Sequence, residues 1–499
     1  MRKLIFLLSF LFAYCLLPVA YSQVAYWQQR VNYTIDVSLN DKDHTLTGFE
    51  KIEYINNSPD TLHFIWFHVW PNAYKNDKTA FTDQQLENGD TRFYFSNDDQ
   101  RGYINRLDFK VNNVTAAIED HPNHIDIIKV ILPSPLPPKA SIQITTPFNV
   151  KLPFNFSRGG HDGQSYQVTQ WYPKPAAYDK DGWHPMPYVD QGEYYSEFGK
   201  YDVSITLPKN YVVGGTGVLQ NEDEKKWMLN ERSNATWGKS YRLQHPMKGY
   251  DSTQVLSKPG QGPSRLIWKT TRTKDSVSNM TPASAAQQKT LRYIADEVHD
   301  FAWFADKRFI VEYDTMQLAS GKTIDVFSYF TPRQSSSWTG TTKYIKGTVQ
   351  FYSSRVGEYP YTVVSAVQGP QGFGGGMEYP TITLIAPETN QRSLHKVIAH
   401  EVGHNWFYGI LASNERQYAW MDEGINSYYE MRYMQSVDHH YTDASTQDLL
   451  EITTQERIDQ PISTLAEKSS LYNYALITYY KTSQWLALVE KQLGTEVFN

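Results

Sequence analysis

A chain of 499 residues exceeds one ordinary core and, at about 100 to 200 residues per domain, calls for two or three domains. Its 40% apolar and 14% aromatic content exclude a disordered or fibrous protein, and a formal charge of -6 with no basic stretch excludes nucleic acid and anionic membrane as partners. The one cysteine, Cys15, excludes a disulfide framework.

The first 22 residues read as an export leader. Arg2 and Lys3 precede the apolar run Leu4 to Leu17, and Pro18 leads to the small-residue site Ala20-Tyr21-Ser22. The apolar run is shorter than the ~20 residues that span a bilayer, so cleavage is expected over anchoring. Cleavage after Ser22 would remove Cys15 and leave a mature protein that is periplasmic, cell-surface or secreted, with no stable membrane insertion.

From Tyr26 to about residue 275 the chain reads as strands. Alternation at period two, β-branched residues and Asn/Asp/Gly/Pro punctuation in "YTIDVSLND", "TLTGFEKIEYINNS", "TLHFIWFHVW", "HIDIIKVIL", "YDVSITLP" and "SRLIWKTT" predict antiparallel sheets packed as a sandwich. Residues 291–306, "LRYIADEVHDFAWFAD", fit a helix through Leu291, Ile294, Ala295, Val298, Phe301 and Ala302, while "HDFAWF" suits a strand. The domain boundary falls just beyond, giving a β domain at 23–308 and a second domain at 309–499.

In that second domain "TTKYIKGTVQFYSSRVGEYPY" starts as an amphipathic helix and stops at Gly357 and Pro360. Two strand-like runs, "YTVVSAVQ" and "TITLIA", flank the glycine-rich loop "GPQGFGGGMEYP". Helical patterns follow over roughly 390–409, 420–436, 444–457 and 474–493. The class is multidomain α+β, an antiparallel β-sandwich domain followed by a mixed sheet with helices.

The chemistry concentrates in "HEVGHNWFYG", 400–409. Residues four apart on a helix are turned by about 40° and rise about 6 Å, so His400 and His404 share a face and reach one ion. A catalytic zinc takes three protein ligands and keeps a fourth position open for water. Glu423 in "AWMDEGINSYYE" follows His404 after 18 intervening residues, enough for the helix to end and a second to run back. Two histidines and that glutamate make the ligand set of the thermolysin-type metallopeptidases. Glu401 points about 100° from His400, and its longer side chain can still reach a water at the ion as general base.

Here the sequence resembles the aminopeptidase N family of zinc metallopeptidases, which join HExxH, 18 residues and Glu to an upstream Gly-x-Met-Glu-Asn motif. This chain has Gly375, Gly376, Met377, Glu378 and Tyr379 at that motif, and "HNWFYG" and "WMDEG" resemble the family's HxWFG and WLNEG. The resemblance implies a thermolysin-like catalytic domain, one zinc ion, and hydrolysis of the N-terminal bond of peptides with a free N-terminus. It implies that Glu378 binds the substrate's α-amine beside Gly375, Gly376 and Met377, that Tyr479 donates to the oxyanion, and that Gln170 in "YQVTQWYPK" lines the pocket from the β domain. Tyr379 and Asp422 depart from the family's two asparagines, and the glycine of its Tyr-x-Lys-Gly pattern is Thr482 here. Relatives carry a further helical domain, so the catalytic part is expected to be truncated at residue 499. A zinc endopeptidase, or a non-catalytic secreted binding protein, stands as the alternative.

Overall fold

A computed structural model describes residues 26–233, 251–256, 266–271, 281–370, 373–388, 390–442 and 444–498. The leader at 1–22, with Cys15, lies outside the described residues.

Strict alternation in "RVNYTIDVSLN" produces β1 (Arg30–Asn40), which buries Val31, Tyr33, Ile35, Val37 and Leu39 on one face. The turn at Asp41–His44 returns the chain as β2 (Thr45–Ile55), paired antiparallel with β1 along its whole length. The strands β3 (Leu62–His68) and β4 (Ile127–Leu136) pair in a second sheet, and β5 (Ser141–Lys151) returns to β2. Further along come β6 (Ser165–Val168), β7 (Gly199–Pro208), β8 (Val212–Gly215), β9 (Gln288–Val298) and β10 (Trp303–Asp306). Among the described residues the largest sheet has nine strands, with β9, β7, β1, β2 and β5 adjacent in that order; β6, β10 and β8 belong to a four-stranded sheet.

Two features differ from expectation. The β1 and β7 strands pair in parallel, Tyr33 against Tyr201, in a domain expected to be antiparallel throughout. Their long separation in sequence frees them from the hairpin geometry that forces antiparallel neighbours. The ambiguous stretch 291–306 is strand, with Leu291, Tyr293 and Ala295 alternating inward on β9 and Glu297 at φ 53° turning the chain towards β10.

The second part begins with β11 (Ile310–Gln317) and β12 (Thr323–Phe330), continues through α1 (Thr342–Arg355), and adds β13 (Val363–Gln368), β14 (Gly376–Met377) and β15 (Ile382–Ile385). These five strands form a mixed sheet in the order β11, β12, β13, β15, β14, whose inner joins are parallel and outer joins antiparallel. All six residues of β13 are buried, as a central strand covered on both faces must be. The main helices that follow are α2 (Gln391–Gly403), α3 (Glu415–Ala419), α4 (Ile425–Val437), α5 (Ala444–Gln455) and α6 (Thr482–Leu493), with a last short turn of helix at Thr495–Phe498.

Asn390 caps α2, its side chain accepting from the amides of Arg392 and Ser393. Leu394, Ile398 and Val402 at helical spacing then pack on Val364, Ala366 and Ile385 of the sheet. Each such fully buried side chain contributes roughly 2 kcal/mol or more. The helix ends at Gly403 rather than near residue 409, because burial of Trp406 and Phe407 turns the chain aside, with Tyr408 at φ 133°. A second apolar core runs from Val212 and Phe304 to Val367, Met377, Ile382 and Leu384, so the β domain and the mixed sheet share packed side chains. No described helix is long and apolar enough to cross a membrane.

Candidate metal centre and substrate cavity

His400 lies in the last turn of α2 and His404 caps it. Glu423 sits in a π-helical turn, Trp420–Gly424, that leads into α4; such turns recur at functional sites because the extra residue re-aims a side chain. The three ligand atoms form a near-equilateral triangle. His400 Nε2 lies 3.0 Å from Glu423 Oε2, His404 Nε2 lies 3.2 Å from the same oxygen, and the two imidazole nitrogens are 3.1 Å apart. Tetrahedral zinc at about 2.0 Å from each ligand requires edges of about 3.3 Å. The donor set fits that ion.

The outer nitrogens are held as a ligand pair needs. His400 Nδ1 contacts Glu430 Oε2 at 3.1 Å, and His404 Nδ1 contacts Asp422 Oδ1 at 2.6 Å and the Phe407 carbonyl at 3.0 Å. These acceptors draw the proton to Nδ1 and leave the Nε2 lone pair facing the centre. Burial opposes charge on His400, but Glu423 and Glu430 outweigh it and push the imidazole up to about 10. The cluster attracts positive charge, as the ligands of a dication must. The sequence reading treats Asp422 only as a departure from the family and does not find Glu430. Its signal is present, since Glu430 stands seven residues after Glu423, two turns along the same helix face.

A cavity of about 490 Å³ opens over this centre, and its lining includes Gly375, Gly376, Glu378, His400, Glu401, Glu423 and Tyr479. Glu401 is buried and its Oε2 has no hydrogen-bond partner among the described residues. Burial holds its carboxyl well above the usual range, against the pull of His400. Gly376 has a steric reason to be glycine: a Cβ there would lie 2.2 Å from Glu401 Oε1. Glu378 is 5% exposed, its Oε1 is unpartnered, and one of its oxygens lies within 4.8 Å of donor atoms of both Glu401 and His404.

Tyr479 projects from a second π-helical segment, Tyr474–Lys481. Its hydroxyl donates to Glu423 Oε1 at 2.6 Å, and its ring stacks on His400 at 5.7 Å. Burial, reinforced by Glu423, raises its pKa and keeps it a donor.

Two expected contacts are not found at the cavity. Met377 is 1% exposed and packs in the apolar core, since on β14 its side chain alternates away from that of Gly376. Gln170, buried at φ 47°, accepts from the Tyr379 hydroxyl at 2.9 Å and donates to Asp300 at 3.0 Å. Both ends of its amide are used within the protein. Asp300 in turn accepts from Tyr172 and pairs with the buried Lys174 at 2.7 Å. Gln170 therefore braces Tyr379, the neighbour of Glu378, from the β domain. Replacing Gln170 with Leu would strand two buried polar groups at about 1–3 kcal/mol each. The expected result is a Tm lowered by several degrees with zinc still bound, read by thermal melting and metal analysis.

The triangle of ligand atoms, two imidazole nitrogens and one carboxylate oxygen, is a donor set that zinc accepts. Residues 341–499 match the family model described as the peptidase family M1 domain. That match covers less than half of the chain. The chain is 29% identical over 115 residues to leucine aminopeptidase 2 of Candida albicans, covering 22% of this chain and 18% of that protein. It is 38% identical over 60 residues to leukotriene A-4 hydrolase of Xenopus laevis, covering 12% of this chain and 10% of that one. The matched stretches thus span less than a fifth of these curated relatives. Among solved structures, the M1 zinc metallopeptidase from Deinococcus radiodurans has the same fold, with TM-score 0.57 at 12% identity over 94% of this chain and 84% of that one. A mutant of that protein bound to a Tyr-Ser-Ala substrate aligns with TM-score 0.58 and 12% identity, over 94% and 85% of the two chains.

Proposed function

We propose that this protein is a zinc-dependent aminopeptidase that hydrolyses the N-terminal bond of peptides, with one zinc ion on His400, His404 and Glu423. The observation that carries the reading is the buried carboxylate of Glu378, whose Oε1 has no partner among the described residues and one of whose oxygens lies within 4.8 Å of Glu401 and His404 donor atoms. A carboxylate so placed pairs with an ammonium one residue away from the scissile bond. When bound, zinc polarises the carbonyl and activates water at neutral pH.

Glu401 takes the proton of the attacking water and delivers it to the departing amine. Its raised pKa suits it to hold that proton between the two steps. Tyr479, already a donor to Glu423 Oε1, has a hydroxyl near enough to turn towards the developing oxyanion, a contact worth ~3 kcal/mol. Glu378 holds the substrate in register. Its neighbours Gly375 and Gly376 leave the substrate backbone room against the sheet edge.

The leader reading makes the mature enzyme exported, with no membrane insertion. Mass analysis of a peptide digest tests the activity. Loss of single N-terminal residues, stopped by a zinc chelator, is the expected result; internal cleavage would instead identify an endopeptidase.

A further inference from the structure

The aminopeptidase reading gives the substrate amine one carboxylate, yet two more stand against Glu378. Glu193 precedes β7, and Glu415 opens α3. One carboxylate oxygen from each of Glu193, Glu378 and Glu415 lies within 4.8 Å of the others. All three side chains are buried, at 4%, 5% and 0% exposure. Arg158 forks onto Glu193 with two contacts of 2.7 Å, so that carboxylate is fixed in place and retains lone pairs for a ligand.

Glu415 is the telling member, because neither of its oxygens has a hydrogen-bond partner among the described residues. Its neighbour Arg416 turns elsewhere, to the carbonyls of Glu193 and Pro187 and towards Glu467 at 3.8 Å. A fully buried carboxyl with no partner is costly, and a cation received beside it would offset that cost. Glu378 Oε1 is likewise unpartnered among the described residues.

We propose that Glu193, Glu378 and Glu415 form a three-point receptor for the primary ammonium of the substrate's first residue, each carboxylate accepting one N–H. This rests on the aminopeptidase reading and adds two residues to it. An ammonium nitrogen about 2.8 Å from three acceptors places them about 4.6 Å apart, within the separation seen here. Glu193 and Glu415 select by hydrogen count as well as by charge. A secondary ammonium, as in an N-methylated residue or N-terminal proline, has only two N–H groups and leaves one carboxylate unmet. Arg158 is a positioning residue for Glu193.

The test compares one peptide with a free, N-methylated or acetylated N-terminus, using wild type, E415Q and E193Q, with zinc content and Tm measured on each. E415Q is expected to raise KM for the free peptide by about 10- to 100-fold, the worth of one charge-assisted hydrogen bond, with little change in kcat. The penalty for N-methylation should be large in wild type and shrink in E415Q. Zinc should stay bound and Tm should not fall, because the Glu415 carboxyl has no hydrogen bond among the described residues to lose. E193Q, whose side chain faces the open cavity, supplies the same comparison if E415Q does not fold. An unchanged KM in the folded variants would overturn the inference. So would a second metal ion in wild type that E415Q loses, which would assign the pocket to a dication. If wild type cleaves the acetylated peptide as readily as the free one, the aminopeptidase reading itself falls.

Discussion

Glu401→Gln is expected to lower kcat/KM by about 100- to 10,000-fold while zinc stays bound. The division follows from position. Glu401 lies one residue after His400 and lines the cavity, outside the triangle formed by His400, His404 and Glu423. Glutamine keeps the volume against Gly376, where a larger group would meet the sheet edge, and removes only the capacity to take a proton. The buried Oε2 has no protein partner to lose. Metal analysis and melting should therefore match wild type, while turnover collapses. Loss of zinc from this variant would place Glu401 among the ligands.

His404→Ala should give the opposite pattern, losing metal and activity together. The side chain is fully buried and meets Glu423 through Nε2, and Asp422 and the Phe407 carbonyl through Nδ1. Without it the Asp422 carboxylate is stranded in the interior, a defect on the order of 3–5 kcal/mol, and one vertex of the ligand triangle is gone. Asp422→Asn isolates the outer contact, since it spares the ligand and removes the charge that holds Nδ1–H. There the expected effect is a 10- to 100-fold loss of zinc affinity, measured by competition with a chelator. Wild-type metal content in His404→Ala would exclude His404 from the centre.

The parts of this site legible in the sequence are those set by short-range geometry. His400 and His404 converge because helix spacing leaves them no other arrangement, and Glu423 follows at a distance that allows one return of the chain. Glu378 was legible only through the resemblance of its motif to the family's Gly-x-Met-Glu-Asn, and Gly376 proves to be where backbone meets Glu401. The expectations that failed depended on packing between distant segments. Gln170 lies near the Glu378 strand as expected, but its amide is consumed by Tyr379 and Asp300, which no local pattern reveals. Glu193 and Glu415 were invisible for the same reason: each looks like a surface glutamate until the fold buries it beside Glu378. Residues 291–306 carried both periods, and pairing with β7 decided for strand.

The most direct test of the account is the ratio of kcat/KM for a peptide with a free N-terminus to that for the same peptide acetylated, in wild type and in Glu378→Gln. The account predicts strong preference for the free peptide in wild type, driven by KM, and its collapse in the variant with zinc retained. Equal use of both peptides by wild type, or a preference that survives loss of the Glu378 carboxylate, would contradict it.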